Sequence, residues 1–233
     1  MKPPFEVIYE DNHLLIVNKA SGILVQGDAT GDTPLVDLCK EYIRLKYGKP
    51  GAVFLGVVHR IDRPVSGIVV FGRTSKALER MNTLFREKQT KKTYWAITEM
   101  KPPHEKGILV QWLSKNAKKN KTTAYSRETV GASRSELSYE IIGHRNNQWL
   151  LQVNPVTGRP HQIRVQLASM GCPITGDVKY GFPVPHEDGS IALHARRLEF
   201  VHPVSKEAMV IEAPVPATLP WKNFADFQPG QTG

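Results

Sequence analysis

Two short segments carry residue types that can do chemistry. The first, His59-Arg60-Ile61-Asp62-Arg63-Pro64-Val65-Ser66-Gly67, sets one carboxylate among three potential cations, His59, Arg60 and Arg63. Charged residues so placed are rarely core, which makes the segment a candidate site; the other reading is an ion-paired loop that only satisfies itself. A kinase catalytic loop does not fit. Ile61 breaks the His-Arg-Asp spacing, and the chain has no Gly-rich phosphate loop, no Asp-Phe-Gly triplet and no Walker sequence. The second segment is Thr157-Gly158-Arg159-Pro160-His161-Gln162-Ile163-Arg164-Val165-Gln166-Leu167-Ala168. On a helix, His161 and Arg164 lie three apart on one face while Ile163 and Leu167 turn another to the core, which aims a cation at whatever the helix covers. A surface helix with a solvated arginine is the alternative.

The elements that must position these groups can be read from periodicity. Phe5–Tyr9 and His13–Val17, joined by Glu10-Asp11-Asn12, read as a β-hairpin. Thr33 is placed to cap a helix that has Pro34 first, an apolar side of Leu35, Leu38, Tyr42 and Leu45, and Gly48 at its end. Ala52–Val58 and Gly67–Phe71 read as buried strands bracketing the Asp62 segment. Thr74 or Ser75 starts a second helix, with Ala77, Leu78, Met81, Leu84 and Phe85 on one face, ending near Gln89. The period then shifts toward two, giving strands at Tyr94–Ile97, Ile108–Leu113, Ser135–Ile142 and Gln148–Val153. Thr157 or Gly158 should cap a third helix ending at Gly171, and Ile191–Val201 and Ala208–Ala213 close the chain as strands. No internal repeat or composition break demands a boundary, so one domain over 1–233 is expected. Its class is α+β, with a large mixed, mainly antiparallel sheet flanked by a few helices.

Composition narrows the partner. A chain of 233 residues, 40% hydrophobic, can bury one substantial core or two small lobes sharing a cleft. Its net charge of +9 favours a polyanion, nucleic acid ahead of an anionic membrane. The basic stretches Lys88–Lys92 and Lys115–Lys121 suit phosphate contacts, or are solvated loops. Cys39 and Cys172 are far apart and expected to be small buried hydrophobes. The eight histidines show no paired-ligand spacing, so no metal and no cofactor are expected. The first twenty residues resemble neither a signal nor a transit peptide, and no apolar run approaches the roughly 18 residues a membrane helix needs, so the cytoplasm is the expected location.

Taken together, the two segments resemble the motifs of the RluA-type RNA pseudouridine synthases. The family's His-Arg-Leu-Asp with Thr-Ser-Gly is matched by His59-Arg60-Ile61-Asp62 with Val65-Ser66-Gly67, and its Gly-Arg-Thr-His-Gln-Ile-Arg by Gly158 to Arg164. Further likenesses are Tyr9-Glu10-Asp11 with Asn18-Lys19, Lys92-Thr93-Tyr94-Trp95-Ala96, Gly176-Asp177 with Tyr180-Gly181, and Leu193-His194-Ala195 with His202-Pro203. The resemblance implies a pseudouridine-synthase-like fold with a central basic cleft. Asp62 would be the catalytic carboxylate, Arg164 its ion-pair partner and Tyr94 the aromatic residue beside the target base.

The implied substrate is structured RNA, ribosomal or transfer or both, bound by a cofactor-free monomer. Arg60 would fill the gap left by a flipped base. His59, Arg63, Lys91, Lys92, Lys118, Lys119, Arg159 and His161 would complete the RNA-binding surface. The chain starts at the catalytic region, so RNA affinity is expected to come from that domain's own surface.

Four positions depart from the family pattern: Val65 and Pro160 stand where Thr is usual, Gln166 where His is common, and Ala20 where Pro is common. These leave a second hypothesis, an RNA-binding protein on the same scaffold with impaired catalysis. A third, a metal-dependent hydrolase, has only the histidine count behind it.

Overall fold

Residues 3–227 are described by the computed structural model. Among the described residues, eleven strands and three α-helices make an α+β fold with mainly antiparallel pairing, as the sequence predicts. The chain divides into two compact units, Met1–Lys92 with Ala195–Pro214 and Thr93–His194 with Val215–Gly233. No helix among the described residues is long and apolar enough to cross a membrane.

In the first unit the predicted hairpin forms from β1 (Phe5–Glu10) and β2 (Leu14–Lys19). Asp11 closes its turn, its Oδ1 accepting the N–H groups of His13 and Leu14 at 2.8 and 2.6 Å. α1 (Leu35–Lys46) follows. It buries Leu35, Val36, Cys39 and Ile43, one position off the predicted stripe, while Leu45 is exposed and the Tyr42 hydroxyl reaches Glu10 at 3.0 Å. Two apolar stripes compete at helical spacing, and the polar end of Tyr42 decides between them. Thr33 does not cap this helix; its N-cap is Pro34 with no side-chain bond. The carbonyls of Leu24 and Val25 instead accept the first free N–H groups, from Leu35 and Val36.

The strand expected over Ala52–Val58 shrinks to β3 (Gly56–Val57), paired with β4 (Ser66–Gly72) at its Phe71–Gly72 end. Beyond that point the His59 ring accepts the Val70 N–H at 3.2 Å, so a side chain takes over from the backbone ladder. β4 also pairs antiparallel with β2 along its length. Leu14–Val17 and Ile68–Phe71 are fully buried, which explains their unbroken apolar character. α2 (Ser75–Arg86) starts as predicted, the Thr74 hydroxyl accepting the Ala77 N–H at 3.1 Å.

In the second unit, antiparallel pairing runs β5 (Lys91–Thr98) to β9 (Gln148–Pro155), β9 to β8 (Ser133–Arg145), β8 to β6 (Lys106–Asn116), and β6 to β7 (Lys121–Tyr125). β7 is absent from the sequence reading. Only its Thr122 is buried, so it carries no apolar signal and is held by its ladder to β6. The lysine-rich 115–121 stretch is thus a hairpin rather than a loop. α3 (Gln162–Ser169) begins later than predicted, after His161 in the left-handed conformation at φ 54°. Its residues Gln162–Leu167 are all buried. The chain closes with β10 (Leu193–Val201) and β11 (Ala208–Glu212), an antiparallel pair.

Candidate active site

The Asp62 segment enters β4 through a tight turn in which the Val65 N–H donates to the Asp62 carbonyl at 3.1 Å. Ile61 and Val65 are buried on either side and Asp62 is half-buried between them. Val65 thus serves as an apolar anchor where the family has a hydroxyl. Gly67 is required by its surroundings: its φ is +113°, and a Cβ there would collide with the backbone of Ala195.

Lys19 braces this turn from below. Its side chain is fully buried, and Nζ donates to the carbonyls of Ala20 (2.9 Å), Ile23 (2.9 Å) and Arg63 (3.1 Å). Burial pushes the ammonium down to about 7, the charge of Asp62 opposing the fall and that of Arg63 adding to it. Three accepting carbonyls match the three protons of an ammonium, so the geometry favours the charged form. The Arg63 carbonyl also accepts the Gly22 N–H at 2.8 Å, while its guanidinium donates to the Gly22 carbonyl at 2.9 Å and pairs with Asp32 at 2.8 Å. Arg63 therefore ties the turn to the 19–32 loop.

The other expected RNA-binding residues of this unit differ in setting. Arg60 is exposed. His59 stacks on Phe85 with centroids 4.8 Å apart. Burial, then the charge of Lys92, pushes His59 down to about 3, so the ring is neutral and acts as packing and acceptor rather than as a cation. Lys92 is half-buried, its pKa lowered by burial and then by Lys88. Lys91 is exposed and pairs with Glu199 at 3.4 Å.

In the second unit the loop before α3 is organised by Gln162. Its Oε1 accepts from the Thr157 hydroxyl (2.8 Å) and the Arg159 N–H (3.0 Å), and its Nε2 donates to the Glu136 carbonyl (3.0 Å). The expected capping residue, Thr157, is occupied here instead. Arg164, 5% exposed, pairs with Asp177, 1% exposed, through Nε at 2.7 Å and Nη2 at 2.8 Å. This two-point pairing fixes the guanidinium plane. Gly176, just before Asp177, has φ +83°, and a Cβ there would meet the Ser190 carbonyl and the His186 ring.

The Tyr180 ring lies 5.1 Å from the Arg164 guanidinium, and His161 Nδ1 meets the Tyr180 hydroxyl at 2.7 Å. Tyr94 is half-buried on β5, opposite Val153 of β9. Lys118 and Lys119 are exposed at the β6–β7 turn, and Arg159 is exposed before α3.

The structure therefore brings Lys19, Asp62 and Arg63 together in one unit, and His161, Arg164, Asp177 and Tyr180 in the other. Sequence reasoning gave Lys19, Asp177 and Tyr180 no role beyond a family likeness. The signal that singles them out is burial of polar groups beside the two motifs, visible only after folding. Among the described residues, no group of three or more His, Cys, Asp or Glu could hold a metal ion.

Comparison with known proteins agrees with the motifs. The family model described as RNA pseudouridylate synthase matches residues 13–169, a span containing Asp62, Tyr94 and Arg164. The ribosomal large subunit pseudouridine synthase C of Vibrio cholerae is 34% identical over 225 residues, covering 91% of this chain and 66% of that protein. The dual-specificity RNA pseudouridine synthase RluA of Haemophilus influenzae is 30% identical over 221 residues, covering 91% of this chain and 94% of that one. The chain thus spans just under two thirds of the first relative's length and almost all of the second's. Among solved structures, human RNA pseudouridylate synthase domain containing 4 has the same fold, with a TM-score of 0.76 at 23% identity over 91% of this chain and 88% of that one. By the family model and by these relatives, the chain belongs to the RNA pseudouridylate synthase family.

Proposed function

We propose that this protein is an RNA pseudouridine synthase that isomerises uridines in ribosomal or transfer RNA, with Asp62 as its catalytic carboxylate. The observation that carries the reading is the match of the family model across residues 13–169, which includes both chemical segments in their family order. Two local features support it: the turn bearing Asp62 is braced by a buried lysine, and the Arg164 guanidinium is held at two points by Asp177. The naming of relatives for the large ribosomal subunit and for dual specificity supports structured RNA as the substrate.

The reaction breaks the bond from ribose C1′ to uracil N1, turns the base, and joins C1′ to C5; the C5 proton is then lost and N1 takes one up, so the composition is unchanged. Asp62 acts as nucleophile or base, with Arg164 as the ion-pair partner that fixes its direction. Tyr94 stacks on the base and assists removal of the C5 proton. A uridine in a stem reaches such groups only when flipped out, and Arg60, exposed and planar, fills the gap it leaves. Lys91, Lys92, Lys118, Lys119 and Arg159 grip phosphates around a basic cleft. The protein acts as a cytoplasmic monomer, and carboxylate, guanidinium and phenol suffice for the chemistry without metal or cofactor.

The test is base-resolution mapping of pseudouridine in total RNA from cells with and without the gene. One or more sites should disappear with the gene and return with the wild-type chain, but not with Asp62→Ala. An unchanged map refutes the proposal and favours the binding-only alternative.

A further inference from the structure

The Tyr180 hydroxyl is a junction of the second unit. It accepts the backbone N–H of Thr122 in β7 at 2.9 Å and meets Nδ1 of His161, the residue before α3, at 2.7 Å. Its ring lies 5.1 Å from the Arg164 guanidinium carbon and 5.7 Å from Nζ of Lys121. A parallel stitch runs from the Thr122 hydroxyl to the Pro160 carbonyl at 2.9 Å. Tyr180 and Thr122 are 8% and 2% exposed, so the bond from the Thr122 N–H to the hydroxyl is shielded from competing water.

The arrangement is specific in two ways. Tyr180 sits in the short 3-10 turn Val178–Tyr180, directly after Asp177, so one brief segment supplies both the carboxylate in the guanidinium plane and an aromatic ring against the guanidinium. On its other side the same side chain holds β7, whose hairpin with β6 carries Lys118 and Lys119 at its exposed turn.

We infer that Tyr180 is a positioning residue that ties the orientation of Arg164 to the β6–β7 hairpin, so that RNA held at the hairpin turn acts on Arg164 through the Tyr180 hydroxyl. The inference deepens the proposed reaction and rests on it. A phosphate drawn to Lys118 or Lys119 displaces the hairpin, Thr122 moves with it, and the shared hydroxyl passes that shift to the start of α3.

Tyr180→Phe keeps the ring and its packing and deletes only the hydroxyl. The expected result is a fall in kcat of about 10- to 100-fold with KM for RNA held within about threefold. The Thr122 amide should exchange with solvent at least about tenfold faster, and the Arg164 Nε–H resonance should shift. A purely packing role predicts a lower melting temperature with kcat unchanged well below it, and that outcome overturns the inference. If the wild-type chain forms no pseudouridine, the proposed reaction fails instead. The two spectroscopic readouts then decide the tie by themselves, and their constancy in Tyr180→Phe refutes it.

Discussion

Asp177 grips Arg164 with both carboxylate oxygens, at 2.7 Å to Nε and 2.8 Å to Nη2, and both side chains are almost wholly buried. A buried pair of this kind adds little stability over an apolar pair, yet removing one member takes two short hydrogen bonds from the other. Asp177→Ala should therefore destabilise the chain by about 1–3 kcal/mol in chemical denaturation. The double variant Arg164→Met with Asp177→Leu should regain most of that loss while remaining inactive. Equal stability of Asp177→Ala and wild type would show that the pair does not hold this part of the unit.

Lys19 offers a second test, because its ammonium satisfies three carbonyls in the turn and loop around Asp62. Lys19→Met matches the stem in shape and removes the ammonium from those acceptors, of which the Arg63 carbonyl keeps the Gly22 N–H, at a cost of about 1–3 kcal/mol. Activity should fall further than stability alone accounts for, since the turn bearing Asp62 loses its brace. Urea titration and single-turnover rates on the same preparation separate the two effects, and an unaltered rate would remove Lys19 from the supporting framework.

His59 sets a pH dependence. Its ring accepts the Val70 N–H and its pKa is pushed down to about 3, against an ordinary value of 6.5, so the folded ring stays neutral where the unfolded one takes a proton. Between those two values the unfolded state binds more protons, and stability must fall as the solution is acidified, by up to about 1.4 kcal/mol per pH unit from this group. His59→Gln, which cannot be protonated, should flatten that part of the profile; a difference between variant and wild type that does not change with pH would contradict it.

Gly67 combines a positive φ with contact against the Ala195 backbone. At an ordinary helix or strand glycine, replacement by Ala gains about 0.5–1 kcal/mol, whereas Gly67→Ala should be strongly destabilising. Thermal melts of the purified variant would show a drop of several degrees or a failure to accumulate folded protein. A melt superimposable on wild type would mean that β4 and β10 can part without penalty.

Much of this was legible in the residues. Local signals with their own physical cause survived folding: the Asp11 turn, the Thr74 cap, and the continuous apolar runs that became doubly buried strands. What failed was decided by partners distant in sequence. α1 takes its cap from the Leu24 and Val25 carbonyls, β3 is cut short by the His59 ring, and β7 has no apolar pattern because its ladder to β6 holds it. The two motifs single out Asp62 and Arg164 as candidates, whereas Lys19, Asp177 and Tyr180 gain their meaning from burial, which no single-chain pattern displays.

The central claim is that Asp62 performs the isomerisation. Its most direct test incubates the purified chain with ribosomal and transfer RNA carrying tritium at uracil C5 and follows tritium release. Wild type should release label in proportion to the pseudouridine formed. Asp62→Asn should release none, while binding RNA with nearly the wild-type affinity and salt dependence. Release by Asp62→Asn at the wild-type rate would contradict the assignment.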